Sequence, residues 1–81
     1  MGQPKEIKDP KDNWIRSFFS KTYYAQGFVY FEDGKLSYCG DTIMWLDKVF
    51  VRTTSQKRAD KLMFEYFHKE NPHYAPYVQL F

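Results

Sequence analysis

The chain has 81 residues, room for one domain with one hydrophobic core. Twelve Lys and Arg stand against ten Asp and Glu, a net charge of +2 that is too even to demand nucleic acid and too mixed to suggest a membrane surface. No apolar run approaches membrane-spanning length, and Cys39, the only cysteine, excludes an internal disulfide and fits a reducing, cytoplasmic setting.

Residues 1–8 are polar and read as a loose N-terminus. MGQPKEIKDPKD lacks the apolar stretch of a signal peptide. Gly2 follows Met1 as in a myristoylation signal, but Glu6 stands where Ser or Thr is expected. The domain proper is read over residues 9–72. In DPKD, residues 9–12, Asp9 suits a helix cap, Pro10 the first turn and Asp12 the positive end of the dipole. Trp14, Ile15, Phe18, Phe19 and Thr22 follow at helical spacing, which predicts a first helix with one apolar face.

Strands are expected next. FVYF, 28–31, and KLSYC, 35–39, flank the turn EDG and read as a hairpin. Gly40-Asp41 offers another turn. TIMWL, 42–46, and VFVRTT, 49–54, are separated by Asp47-Lys48, a weak hairpin signal. They are one long bent strand or two paired ones, so three and four strands both stay open. SQKRADKLMFEYFHKENP, 55–72, is the clearest helix: Ala59, Leu62, Met63, Tyr66 and Phe67 make its apolar stripe, Phe64 lies off it, Thr54 or Ser55 caps it and Asn71-Pro72 ends it. Residues 73–81 form an aromatic tail. The expected class is α+β: helix, a three- or four-stranded antiparallel sheet, helix, with both helices on one sheet face.

Such a sheet keeps one face open. Residues 28–54 are nonetheless apolar or aromatic on both parities. The core takes either Val29 and Phe31 or Phe28 and Tyr30, and the other set points outward. Eight Phe, seven Tyr and two Trp exceed the needs of a core this small. Phe28, Tyr30, Tyr38 and Trp45, with Tyr77 and Phe81 of the tail, are therefore candidate partner-binding residues. Alternatively the tail, with Tyr74, Tyr77, Val78, Leu80 and Phe81, folds back over the open face.

Chemistry is not expected. Cys39 sits on a strand, His68 and His73 straddle a helix end, the glycines are scattered, and Glu32, Asp33, Asp41 and Asp47 suit turns. No enzyme, metal or cofactor is indicated. One cluster breaks a local rule: Lys57 and Arg58 open the second helix, with Lys61 a turn later, against its dipole. With Arg52 and Thr54 they form a candidate anion or nucleic-acid site, or simply a solvated basic face.

The element order resembles the double-stranded RNA-binding domain, whose last helix opens on a Lys-Lys-x-Ala-Lys motif. Set on Ala59, this chain reads Gln56, Lys57, Arg58, Ala59, Asp60, so only the second Lys and the Ala match. VFVRTTSQKRADKLMFEYF is similar to the end of the arm-binding domain of phage tyrosine integrases, which reads DNA with an open sheet face. A compact, aromatic-rich chain of this size also looks like many phage-encoded inhibitors of host or defence machinery, anti-CRISPR proteins among them. Two functions follow. One is a non-enzymatic module docking on a protein or protein–nucleic acid complex and acting sterically, with homo-oligomerisation through the same face as a variant. The other is direct nucleic-acid binding, with no membrane partner in either.

Overall fold

A computed structural model describes residues 3–11 and 13–81, so the roles read for Gly2 and Asp12 lie outside the described residues. Its elements are β1 (Lys5–Ile7), a 3-10 turn (Arg16–Phe18), β2 (Lys21–Glu32), β3 (Lys35–Ser37), β4 (Thr42–Thr53), α1 (Gln56–Glu70) and β5 (Gln79–Leu80). The strands form one five-stranded sheet in the order β1-β4-β2-β3, with β5 also on β2. β1 runs parallel to β4, and β3, β4 and β5 each run antiparallel to β2.

The expected helix–antiparallel sheet–helix order is therefore corrected. There is one α-helix and a mixed sheet. The first helix is absent because its residues have better local partners. Asn13 Oδ1 accepts from the Arg16 N–H at 2.9 Å, Ser17 Oγ donates to the Trp14 carbonyl at 2.8 Å, and Ser20 Oγ donates to the Arg16 carbonyl at 2.9 Å. Short polar side chains that bond the nearby backbone offer an alternative to continued helix. The β-favouring run Thr22-Tyr23-Tyr24 then joins β2, pairing with Arg52, Val51 and Phe50. Asp9 caps no helix either; it pairs with Arg58. Lys5–Ile7, in the stretch read as loose, supply the parallel edge strand.

TIMWL and VFVRTT are one strand, β4, and its bend is a register shift. Gln26 pairs with Lys48 but Phe28 pairs with Trp45, so Leu46 and Asp47 together oppose Gly27. An extra residue in one strand switches its side-chain parity. Met44 and Leu46 point to the core before the bulge, and Val49, Val51 and Thr53 after it. The β2–β3 hairpin closes on Asp33-Gly34, both at positive φ (53° and 76°), as a tight two-residue turn requires.

The core lies between the sheet and α1: Val29, Val49 and Val51 meet Ala59, Leu62, Met63 and Phe67. Ser55 caps α1 by accepting from the Arg58 N–H at 3.2 Å. The tail does not fold over the open face. Val78 is buried in the core, with Tyr74, Tyr77 and Leu80 packed around it. Gly27 is needed where the helix meets the sheet, since a Cβ there would stand 2.8 Å from the Phe67 ring. Gly27→Ala is expected to cost about 1–3 kcal/mol by overpacking; urea denaturation checks it, and an unchanged midpoint would show that the ring yields freely.

Candidate functional site: an aromatic sheet face

Among the described residues the side of the sheet away from α1 carries no α-helix, and Tyr74, Tyr77 and Val78 of the tail pack with the core instead. Register decides which residues it carries. Phe28 stands opposite Trp45, Tyr30 opposite Ile43, and Tyr24 opposite Phe50, all outward of the core set. Their rings touch in sequence. Tyr30 meets Phe28 edge-on at 5.3 Å between centroids, Phe28 meets Trp45 at 5.4 Å, and Trp45 meets Phe81 edge-on at 5.5 Å. Tyr24 and Phe50 pair at 5.6 Å. Such cross-strand and diagonal pairs hold neighbouring rings in fixed orientations.

Exposure grades across this row. Phe28 is buried, at 8 %, under its neighbours, while Trp45 is 49 % and Phe81 82 % exposed. Tyr30 is half-buried and Tyr24 exposed. A buried ring that fixes exposed ones is a preformed apolar surface. The remaining two candidates lie elsewhere. Tyr38 stacks on Tyr77 at 4.6 Å in the bend after β3, where Gln79 Nε2 donates to the Tyr38 carbonyl at 2.8 Å. Phe28, Tyr30, Trp45 and Phe81 are thus brought into one row, and Tyr38 and Tyr77 form a separate pair.

The sequence reading missed Tyr24, Ile43 and Phe50, which share this face. Their signal was parity with Tyr30 and Trp45, but the bulge hid it for Phe50. It also placed Trp14, Phe18 and Phe19 on a helix face. They stand on the 3-10 turn segment instead, 75 %, 77 % and 73 % exposed, as a second apolar patch before β2.

The basic cluster is divided. Arg58 grips Asp9 in a fork, Nε to Oδ2 at 2.7 Å and Nη2 to Oδ1 at 2.6 Å, and Thr53 Oγ1 donates to the same carboxylate at 2.6 Å. The Arg58 hydrogen bond, assisted by those from Thr53 and the Lys11 N–H, holds Asp9 well below the usual carboxylate range, although burial pushes the other way. Arg58, read as a candidate anion-site residue, is thereby already paired with a carboxylate. That pairing also accounts for a cation in the first turn of α1. Arg52 Nη2 donates to the Ser17 carbonyl at 3.0 Å. Thr54, Lys57 and Lys61 are exposed.

Other groups stand apart. Cys39 is exposed, with its N–H donating to Ser37 Oγ at 3.2 Å, and His68 lies beside Phe64. Among the described residues no group of His, Cys, Asp and Glu is placed to hold a metal ion, and no helix is long and apolar enough to cross a membrane. No protein-family model, curated protein or solved structure matches the chain.

Proposed function

We propose that the protein is a small, non-enzymatic binding module that docks on a protein, or on a protein–nucleic acid complex, through its aromatic sheet face. The observation that carries this reading is the row from Tyr30 through Phe28 and Trp45 to Phe81, with Trp45 and Phe81 open to solvent. Large apolar patches on small proteins mark interaction sites, and aromatic residues dominate interface energies. Docking of this kind acts by occupying a partner's surface, as a steric inhibitor of host or defence machinery of the anti-CRISPR kind would in a reducing cytoplasm.

The test is capture from lysate on immobilised protein, with and without nuclease. A discrete protein retained after nuclease is expected. Trp45→Ala should weaken its binding by about 2 kcal/mol, roughly thirtyfold, with little change in melting temperature. Retention that vanishes with nuclease, and depends on Lys57 and Lys61, would move the function to nucleic acid. That second reading is weakened by the commitment of Arg58 to Asp9. Its remaining exposed cations, Arg52, Lys57 and Lys61, supply few phosphate contacts.

A further inference from the structure

The β2 strand is only partly covered along the edge that bears β3 and β5. β3 takes Tyr30–Glu32, and β5 takes Gly27 and Phe28. Gln26 and Phe81 then exchange backbone bonds, the Phe81 N–H to the Gln26 carbonyl at 2.9 Å and the Gln26 N–H to the Phe81 carbonyl at 3.5 Å. The cover stops there. In an antiparallel ladder alternate residues turn both backbone groups to the same side. Since Gln26 turns its groups to this edge, Tyr24 and Thr22 do so too, and no bond from them in that direction exists among the described residues. Both residues are exposed. A cleft of about 420 Å³ runs beside this edge, walled by Gln56, Asp60 and Phe64 of α1 and closed at one end by Phe81.

We propose that a second copy of the chain occupies this edge, joining β2 to β2 about a two-fold axis at Tyr23. The alternation permits this register: Thr22 of each copy faces Tyr24 of the other, and each such pair exchanges both N–H···O=C bonds. Phe81 limits the alternatives. An axis at Tyr24 would set Thr22 against Gln26, whose groups are already bonded to Phe81. An axis at Tyr23 sets Lys21 of the copy against Ala25, and the next residue would meet Phe81. β2 itself begins at Lys21, so the copy's chain leaves the ladder where room ends.

Charge completes the fit. Lys21 pairs with buried Thr53, so it lies on the α1 side of the sheet. Opposite residues in a ladder share a face. Lys21 of each copy is thereby directed at Asp60, which walls the cleft beside Ala25 of the other copy. An isologous pairing makes this contact twice. The copy's chain before Lys21, with exposed Phe18 and Phe19, then passes close to Phe81, bringing together residues that the single chain leaves in water. This interface uses the edge and rests on none of the docking argument for the face.

Analytical ultracentrifugation of the purified chain over a concentration series tests it. Reversible association to twice the 9.8 kDa chain mass is expected, with slowed hydrogen exchange at the Thr22 and Tyr24 amides in the dimer. Tyr24→Pro removes an edge N–H that has no hydrogen-bond partner among the described residues, and should leave a folded monomer. Lys21→Glu should weaken the dimer about tenfold or more, and Lys21→Glu with Asp60→Lys should restore it. A chain that stays monomeric to about 1 mM, or a dimer that the Lys21→Glu variant and its charge-swapped partner leave unchanged, would overturn the proposal.

Discussion

Arg58→Ala is expected to lower folding stability by about 3–5 kcal/mol, because it strands the buried Asp9 carboxylate without its cation. Asp9 is 7 % exposed, and its oxygens are shared between the guanidinium, Thr53 and the Lys11 N–H. The remaining donors are neutral, and a neutral hydrogen bond compensates less of a buried charge than a forked guanidinium does. A domain of this length has a total stability of about 4–12 kcal/mol. The variant is therefore expected to be partly unfolded at 25 °C, which far-UV circular dichroism and urea titration would show. Removing Asp9 as well should cost less than the two single losses summed, since no charge is then left unpaired. Strict additivity would mean that the pair is not coupled. The pair also sets the acid limit. Asp9 titrates below its unfolded value of about 3.9, so its contribution is complete above that pH. It is lost as pH falls from there toward the depressed folded value. The Asp9→Asn variant should start less stable and lose less between about pH 5 and pH 2, the range in which the unfolded carboxyl takes up its proton.

Phe67→Ala should cost about 3–5 kcal/mol as well, for a different reason. Phe67 is fully buried, its ring lies against the open backbone at Gly27, and Tyr66 meets it edge-on at 5.3 Å. Neither neighbour can fill the space. Gly27 has no side chain to extend, and its backbone is held by Leu80 on one side and by its neighbours Gln26 and Phe28, both paired with β4, on the other. The loss is thus transfer free energy plus a cavity that cannot collapse. Denaturation midpoints would report it, and a loss below about 1.5 kcal/mol would show that the sheet and helix close the gap.

Much of the second half of the fold was legible. The α1 stripe of Ala59, Leu62, Met63 and Phe67 is the one that buries, and Ser55 is one of the two caps expected. The Asp33-Gly34 turn was marked by residues that tolerate positive φ. The first helix was not legible, because apolar spacing in Trp14, Ile15, Phe18 and Phe19 says nothing of the Asn and Ser side chains that bond the backbone there. β1 was hidden because a three-residue edge strand needs little apolar pattern. The aromatic face was half legible. Parity put Phe28, Tyr30 and Trp45 together, but the extra residue at Leu46–Asp47 exchanges the faces of β4, so Val49 and Val51 turn inward and Phe50 outward. That exchange is why residues 28–54 are apolar on both parities. The Asp9–Arg58 pair joins positions 49 apart, beyond any local pattern.

The placement of the tail divides the sheet's support between two backings. Near Val49 and Val51 the sheet rests on α1. Toward Met44 it meets the tail, whose Tyr74 Oη reaches the Met44 sulfur at 4.0 Å and whose Val78 is buried in the core. A continuous helix melts only at its ends, whereas a segment held by turns and a two-residue strand can lift as a unit. The sheet is thus held by a helix at one end and by the tail at the other. Release of the tail would let the hairpin tip open while the helix-held end keeps its shape, and Phe81, at the end of the tail, would carry that motion to Trp45 on the far side.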